Sequence, residues 1–242
     1  MKVIKVKNYE ELSRTAATII AGVILSKPDC ILGLATGSSP VGTYDQLAAM
    51  YEEGILDFSH VKSVNLDEYV GLDGSNDQSY RYFMEHNLFS HVDIDPARTH
   101  VPDGACPDAA AACAAYEQSI AEAGGLGLQL LGLGHNGHIG FNEPAPEFPK
   151  ETHCVELTES TINASSRLFD SIDDVPREAY TMGIGTIMAA KEILVVANGS
   201  DKADIVRRAF FGPVTPEVPA SILQFHPNVT VVVDKEAGAL CQ

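Results

Sequence analysis

The sequence predicts an α/β protein, a mostly parallel sheet with helices covering both faces. Short apolar, β-branched runs alternate with stretches whose apolar residues recur at helical spacing, the pattern of strand–crossover–strand units. Several of those runs end in loops rich in Gly, Ser and Asn, the loop chemistry of sheets that bind ligands beyond their strands' carboxyl ends. The 242 residues suffice for one domain with a sizeable core, and no repeat, low-complexity tract or linker divides them. Residues 1–242 therefore read as a single domain.

Residues 3–6 are a short β-rich run. Asn8 can cap a helix, with Glu11 completing a capping-box-like pair. Leu12, Ala16, Ile19, Ile20 and Val23 then lay an apolar face along a helix from Tyr9 to about Leu25. Residues 31–35 form the next strand and run into Thr36-Gly37-Ser38-Ser39-Pro40. Ser39 suits an N-cap and Pro40 the first helical turn, so a helix follows through Tyr44 and Leu47. This unit reads either as an ordinary turn with a good cap or as an anion site, its backbone N–H groups and positive helix end facing a phosphate. It is neither a Walker A loop nor a G-x-G-x-x-G fingerprint, so a nucleotide is not the expected ligand.

Residues 61–66 are a strand that ends on Asp67-Glu68-Tyr69. Two acids at a strand's carboxyl end can supply a general base or simply cap the next turn. Residues 79–88 form an amphipathic helix whose aromatic side chains read as core. Residues 108–123 are an alanine-rich helix, opened by Pro107-Asp108 and stopped by Gly124 and Gly125. The apolar run 128–133 is a buried strand, broken into a loop by Gly132, Gly134, Gly137 and Gly140. Into that loop fall His135, Asn136, His138, Asn142 and Glu143. An imidazole and a carboxylate placed there can move protons near neutral pH, or the polar groups can merely satisfy one another. His135 and His138 also have a metal-like spacing, but no local carboxylate completes a zinc set.

Residues 153–157 are a strand, and the segment 160–169 after it carries Arg167. Residues 179–184 are an apolar run ended by Gly183 and Gly185, with a short helix from 186 to 190. Residues 193–197 are a strong buried strand that ends in Asn198-Gly199-Ser200-Asp201-Lys202, where Ser200 can cap a helix to about Phe211. Lys202, near that helix start, opposes the helix dipole unless an anion lies nearby; the alternative is a solvated surface lysine. Residues 229–234 are the last strand.

A net charge of −17 argues against nucleic-acid and anionic-membrane surfaces. The longest apolar stretches fall short of a membrane span, and the N-terminus lacks the apolar core of a signal peptide. The 5 cysteines are odd in number, scattered and never in a Cys-x-x-Cys pair, which fits a reduced, cytoplasmic protein. The loops at 36–40, 65–69, 134–144 and 198–202 can converge on one rim of the sheet. That convergence is the case, from residues alone, for an enzyme acting on a small anionic substrate.

NLDEYVGL at 65–72, GLGHNGHIGFNEP at 132–144, TGSSP at 36–40 and NGSDKA at 198–203 together resemble the glucosamine-6-phosphate deaminases of the glucosamine-6-phosphate isomerase/6-phosphogluconolactonase family. The resemblance covers essentially the whole chain, and GHIGFNEP with NLDEYVGL is its specific part. It implies a three-layer αβα, Rossmann-like sheet. It implies conversion of glucosamine 6-phosphate and water to fructose 6-phosphate and ammonium in amino-sugar catabolism, without metal or organic cofactor. Asp67 matches the acid that moves the proton from C2 to C1, and His138 the residue that opens the pyranose ring. Glu143 matches the residue that orients and tunes that histidine, and Asn136 belongs to the same group. Thr36, Gly37, Ser38 and Ser39 would hold the phosphate, with Arg167 and Lys202 as its cations.

Some relatives carry an aspartate at the position of Asn136, and an amide cannot accept a proton as a carboxylate does. Some longer relatives add a C-terminal extension with allosteric control. This sequence ends soon after Asp234, so a monomer or small homo-oligomer with hyperbolic kinetics is expected. Two rivals are a lactonase or simple aldose–ketose isomerase using the same phosphate pocket, and a sugar-phosphate sensor, which would need a helix-turn-helix segment that is not evident.

Overall fold

A computed structural model describes residues 1–165, 169 and 171–241. The chain opens with β1 (Lys2–Lys5), α1 (Tyr9–Ser26), β2 (Ile31–Leu34), α2 (Val41–Glu52), β3 (Lys62–Asn65) and a separate short strand, β4 (Asp67–Tyr69). It continues through α3 (Tyr80–Asn87), β5 (Thr99–His100), α4 (Ala109–Ala123), β6 (Leu128–Gly132), β7 (His153–Glu156) and α5 (Glu159–Ser165). It closes with β8 (Glu178–Thr181), α6 (Ile184–Met188), β9 (Glu192–Ala197), α7 (Ala203–Phe211) and β10 (Val229–Val233).

The main sheet has 7 strands in the order β1-β10-β9-β6-β2-β3-β5. Every neighbouring pair in it is parallel. From β2 the chain moves outward through β3 and β5, then returns to the other side of β2 with β6, β9 and β10. The direction reverses between β2 and β6, and such a switch point opens a crevice at the strands' carboxyl ends. Central strands carry continuous apolar runs because helices cover both faces: Leu128, Leu130, Leu131, Val195, Val196, Val231, Val232 and Val233 are all fully buried.

The helix signals read from sequence hold where a side chain can close the first turn. The Asn8 side chain accepts from the Glu11 N–H at 2.9 Å. The Glu11 carboxylate accepts from the Lys7 N–H at 3.0 Å, one residue earlier than a capping box requires. Asp108 caps α4 through the Ala111 N–H, and Gly124 ends it in the left-handed conformation at φ 109°. Ser39 and Ser200 do not cap as expected. Pro40 occupies the cap position of α2, and one 3₁₀ turn, Ser200–Lys202, precedes α7, neither helix having a side-chain cap.

The sequence reading also missed a second sheet, three antiparallel strands in the order β4-β8-β7. Asp67-Glu68-Tyr69 belongs to it and does not continue β3. Leu66 is the pivot: its N–H bonds the Leu34 carbonyl in the main sheet, while its own carbonyl takes the Met182 N–H at 2.7 Å. The helix after β8 begins at Ile184, two residues before its expected start, because Gly183 takes the cap position. No helix among the described residues is long and apolar enough to cross a membrane.

Candidate active site

Four strands that are neighbours in the sheet, β9, β6, β2 and β3, are followed by the four chemistry-bearing loops. Because the strands are parallel, those loops leave the same rim. They enclose a cavity of about 590 Å³ lined by Thr36, Gly37, Ser38 and Ser39, by Asp67, by His135, Asn136 and His138, and by Lys202. Every substrate-site residue expected from sequence lines this cavity except Glu143, which stands behind His138, and Arg167, which lies outside the described residues.

One wall of the cavity, the Thr36–Ser39 loop, is fixed through its backbone. Tyr9 reaches from α1 to donate to the Ser38 and Ser39 carbonyls at 3.0 and 3.2 Å, and its oxygen accepts the Gly42 N–H at 2.9 Å. The loop is thus held from behind while its front faces the cavity. The first turn of α2 contains no acid and no capping side chain, so its positive end is uncompensated. Lys202 also lines the cavity, half-buried, with Nζ donating to the Leu133 carbonyl at 2.8 Å. Burial lowers its pKa, with Asp201 opposing the shift. Among the described residues Lys202 makes no ion pair, so its charge is available to a ligand.

Asn136 joins His138 to Glu143. The Asn136 amide nitrogen donates to one Glu143 oxygen through a short hydrogen bond. That fixes the amide's orientation, so Oδ1 is the acceptor for both the His138 backbone N–H at 3.1 Å and the ring Nδ1 at 2.9 Å. An amide oxygen only accepts, so Nδ1 carries the proton and Nε2 holds the free lone pair in the neutral ring. Glu143 Oε1 lies 3.4 Å from Nδ1 and accepts from Thr161 Oγ1 at 2.9 Å. Burial alone would raise the Glu143 carboxyl, but the hydrogen bond and charge of His138, with Asn136 and Thr161, bring it down to about 2. Gly134 packs directly on the His138 ring; a Cβ there would lie 2.3 Å from Nε2.

Asp67 lines the same cavity, only 6% exposed, and its carboxylate accepts no hydrogen bond from the described residues. Burial, reinforced by the charge of neighbouring Glu68, pushes its pKa up to about 8. Glu68 points the other way, as adjacent strand residues must, into the start of α3. Gly140 lets the loop lie on Asp67: a Cβ there would meet Oδ2 at 3.4 Å.

The sequence reading missed three contributors. Tyr80, expected in the core, lines the cavity and stacks on Phe141 at 6.0 Å between centroids. Burial, with Tyr69 and Asp67 adding to it, holds its phenol well above the usual range, so it stays neutral. Thr161 carries no motif, and Tyr9 looks like one more apolar helix position; only tertiary packing reveals either. His135 and His138 turn to different partners, His135 Nε2 to Asp201 at 2.6 Å.

The family model described as glucosamine-6-phosphate isomerases/6-phosphogluconolactonase matches residues 6–232. This chain belongs to that family. A relative from Lachnoclostridium phytofermentans named glucosamine-6-phosphate deaminase is 57% identical over 96% of this chain and 98% of its own length. A solved structure described as a monomeric glucosamine-6-phosphate deaminase superposes with a TM-score of 0.96 at 47% identity, covering 99% of this chain and 100% of that one. A 6-phosphogluconolactonase from Trypanosoma cruzi, at 20% identity and a TM-score of 0.81, covers 100% of this chain and 97% of its own, and shares the fold.

Proposed function

We infer that this chain is a glucosamine-6-phosphate deaminase, converting glucosamine 6-phosphate and water to fructose 6-phosphate and ammonium. The observation that carries this reading is one cavity lined together by the Thr36–Ser39 loop and Lys202, by a buried carboxylate that accepts no hydrogen bond from the described residues, and by a histidine whose Nδ1 is held by Asn136. The identities of 57% and 47% to proteins bearing that name support it over the lactonase reading.

In this reading the phosphate sits on the loop of Thr36, Gly37, Ser38 and Ser39 against Lys202, with Arg167 as a further cation. His138 Nε2 takes the anomeric hydroxyl proton and returns a proton to the ring oxygen, opening the sugar to the aldehyde. Asn136 and Glu143 hold the ring and stabilise the imidazolium while it is charged. Asp67, deprotonated, removes the C2 proton to give the enaminol and delivers the proton to C1. The 2-imine that results adds water and releases ammonia. A carboxylate serves as this base because it is buried and unbonded, which raises its basicity toward working pH.

The enzyme works as a monomer, as the 47% identical neighbour is described. Five unpaired cysteines support a cytoplasmic setting, and the proposed substrate supports a role in amino-sugar catabolism. The test is an assay of purified protein with glucosamine 6-phosphate, following ammonium and fructose 6-phosphate together. Equal stoichiometry is expected. Hydrolysis of 6-phosphogluconolactone without ammonium release from the amino sugar would overturn the reading.

A further inference from the structure

Glu68 is buried to 2% exposure directly beside Asp67, yet the mechanism above gives it nothing to do. A second buried acid next to a base is costly unless it is satisfied. Here it is fully satisfied. Oε1 accepts the N–H groups of Tyr69 and Tyr80, both at 2.9 Å, and Oε2 accepts that of Arg81 at 3.0 Å. Tyr80 and Arg81 are the first two residues of α3, and Ser79 caps the third, Tyr82, at 3.1 Å. One carboxylate thus ties strand β4, which carries Asp67, to helix α3, which carries Tyr80, and both residues wall the cavity.

The two acids differ in a way that decides which is charged first. Burial pushes both carboxyls up, but at Glu68 three N–H donors and the positive end of a helix dipole oppose it, and among the described residues Asp67 has neither. The other ionisable groups around Glu68 leave its charge uncancelled. The Arg81 guanidinium is turned to the Thr99 carbonyl and hydroxyl, at 3.1 and 2.7 Å. Tyr80 and Tyr116 are phenols that burial keeps neutral, and Tyr69 offers its backbone N–H. Gly104 packs against the Glu68 stem, where a Cβ would meet Cγ at 3.0 Å.

We propose that Glu68 is a positioning residue for the deamination: its carboxylate, tied to the backbone of β4 and to the start of α3, sets the alignment of Asp67 and Tyr80 and lays a negative charge directly beside Asp67. The proposal rests on Asp67 being the enolisation base. It differs from a purely structural role, which would change stability and rate but not the pH at which the base ionises.

The test is the pH dependence of kcat/KM for glucosamine 6-phosphate in wild type, Glu68→Gln and Glu68→Asp. Glu68→Gln removes the charge, so the acid limb should move to lower pH by about one unit, the usual reach of a close like charge, and the plateau should fall at least about tenfold. Glu68→Asp keeps the charge but shortens the tie, so the limb should stay in place while kcat falls at least about tenfold with KM within about threefold. If Glu68→Gln does not fold, Glu68→Asp alone decides, since wild-type kcat in it overturns the proposal. An unmoved limb in a folded Glu68→Gln overturns it as well. Asp67→Asn separates the two levels. If that variant stays active, the base assignment fails and Glu68's role with it; if it is inactive while the limb ignores Glu68→Gln, only the role of Glu68 is wrong.

Discussion

At Asp67, burial and a neighbouring charge push in the same direction, and the consequences reach both stability and rate. In the folded protein the carboxyl keeps its proton up to about pH 8, while in the unfolded chain an aspartate releases it near 3.9. Folding therefore takes up a proton between about pH 4 and about pH 8, and stability falls as pH rises through that window, then levels. Asp67→Asn removes the penalty at nearly constant shape. Its Tm, followed by calorimetry, should exceed the wild-type value by at least about 3 °C near pH 8.5 and converge with it near pH 4. The same substitution should lower kcat by about 10²–10⁴ and stop solvent deuterium entering C1 of fructose 6-phosphate, observed by NMR. Exchange near the wild-type rate would move the base elsewhere, with Glu68 the nearest competitor. His138, Asn136 and Glu143 form one hydrogen-bonded chain, so their contributions should be strongly non-additive. In a double-mutant cycle, His138→Gln with Glu143→Gln should cost little more than the worse single change; additive losses would show that the two act separately.

The elements decide where those side chains stand. Helices α1, α3 and α4 have side-chain caps, whereas α2 and α7, whose first turns flank the cavity, have none. An anion bound between them would complete both starts, and Lys202 adds the fixed charge. Lys202→Ala should raise KM at least tenfold with a smaller change in kcat, because one charge-assisted hydrogen bond contributes about 1.5–3 kcal/mol. Steady-state kinetics with an unchanged KM would remove Lys202 from phosphate binding. The loop after β6 depends on close approach, since Gly134 lies on the ring of His138. Gly134→Ala should displace that ring and cut kcat at least about tenfold while leaving the circular dichroism spectrum and the Lys202-dependent KM intact.

At the scale of the whole molecule, every described residue of the site comes from one chain, and one switch point of one sheet gathers them. Sedimentation should give a mass near 25.9 kDa, and the velocity curve in glucosamine 6-phosphate should be hyperbolic. A sigmoidal curve, relieved by N-acetylglucosamine 6-phosphate, would show coupling between sites on more than one subunit.

Local sequence determined most elements, because period, capping and glycine placement act within a few residues: Asn8 and Asp108 begin helices as expected, and Ser79, read only as the start of the 79–88 helix, caps it in the same way. It also put the candidate site at strand ends, since Asp67, His138 and Lys202 each sit just past an apolar run, and all three line the one cavity. Tertiary structure decided what depends on partners distant in the chain. The separate sheet of β4, β8 and β7 exists only because Leu66 shares its two backbone groups between Leu34 and Met182. Ser39 and Ser200 look like caps, yet the chain turns past them and leaves two helix starts open. Which of two adjacent acids faces the cavity follows from the pairing of β4 with β8 and from the start of α3, neither of which lies within ten residues of the strand. The side chain of Glu68 is committed to those amides, and Asp67 is left buried, its carboxylate accepting no hydrogen bond from the described residues, so its pKa is raised.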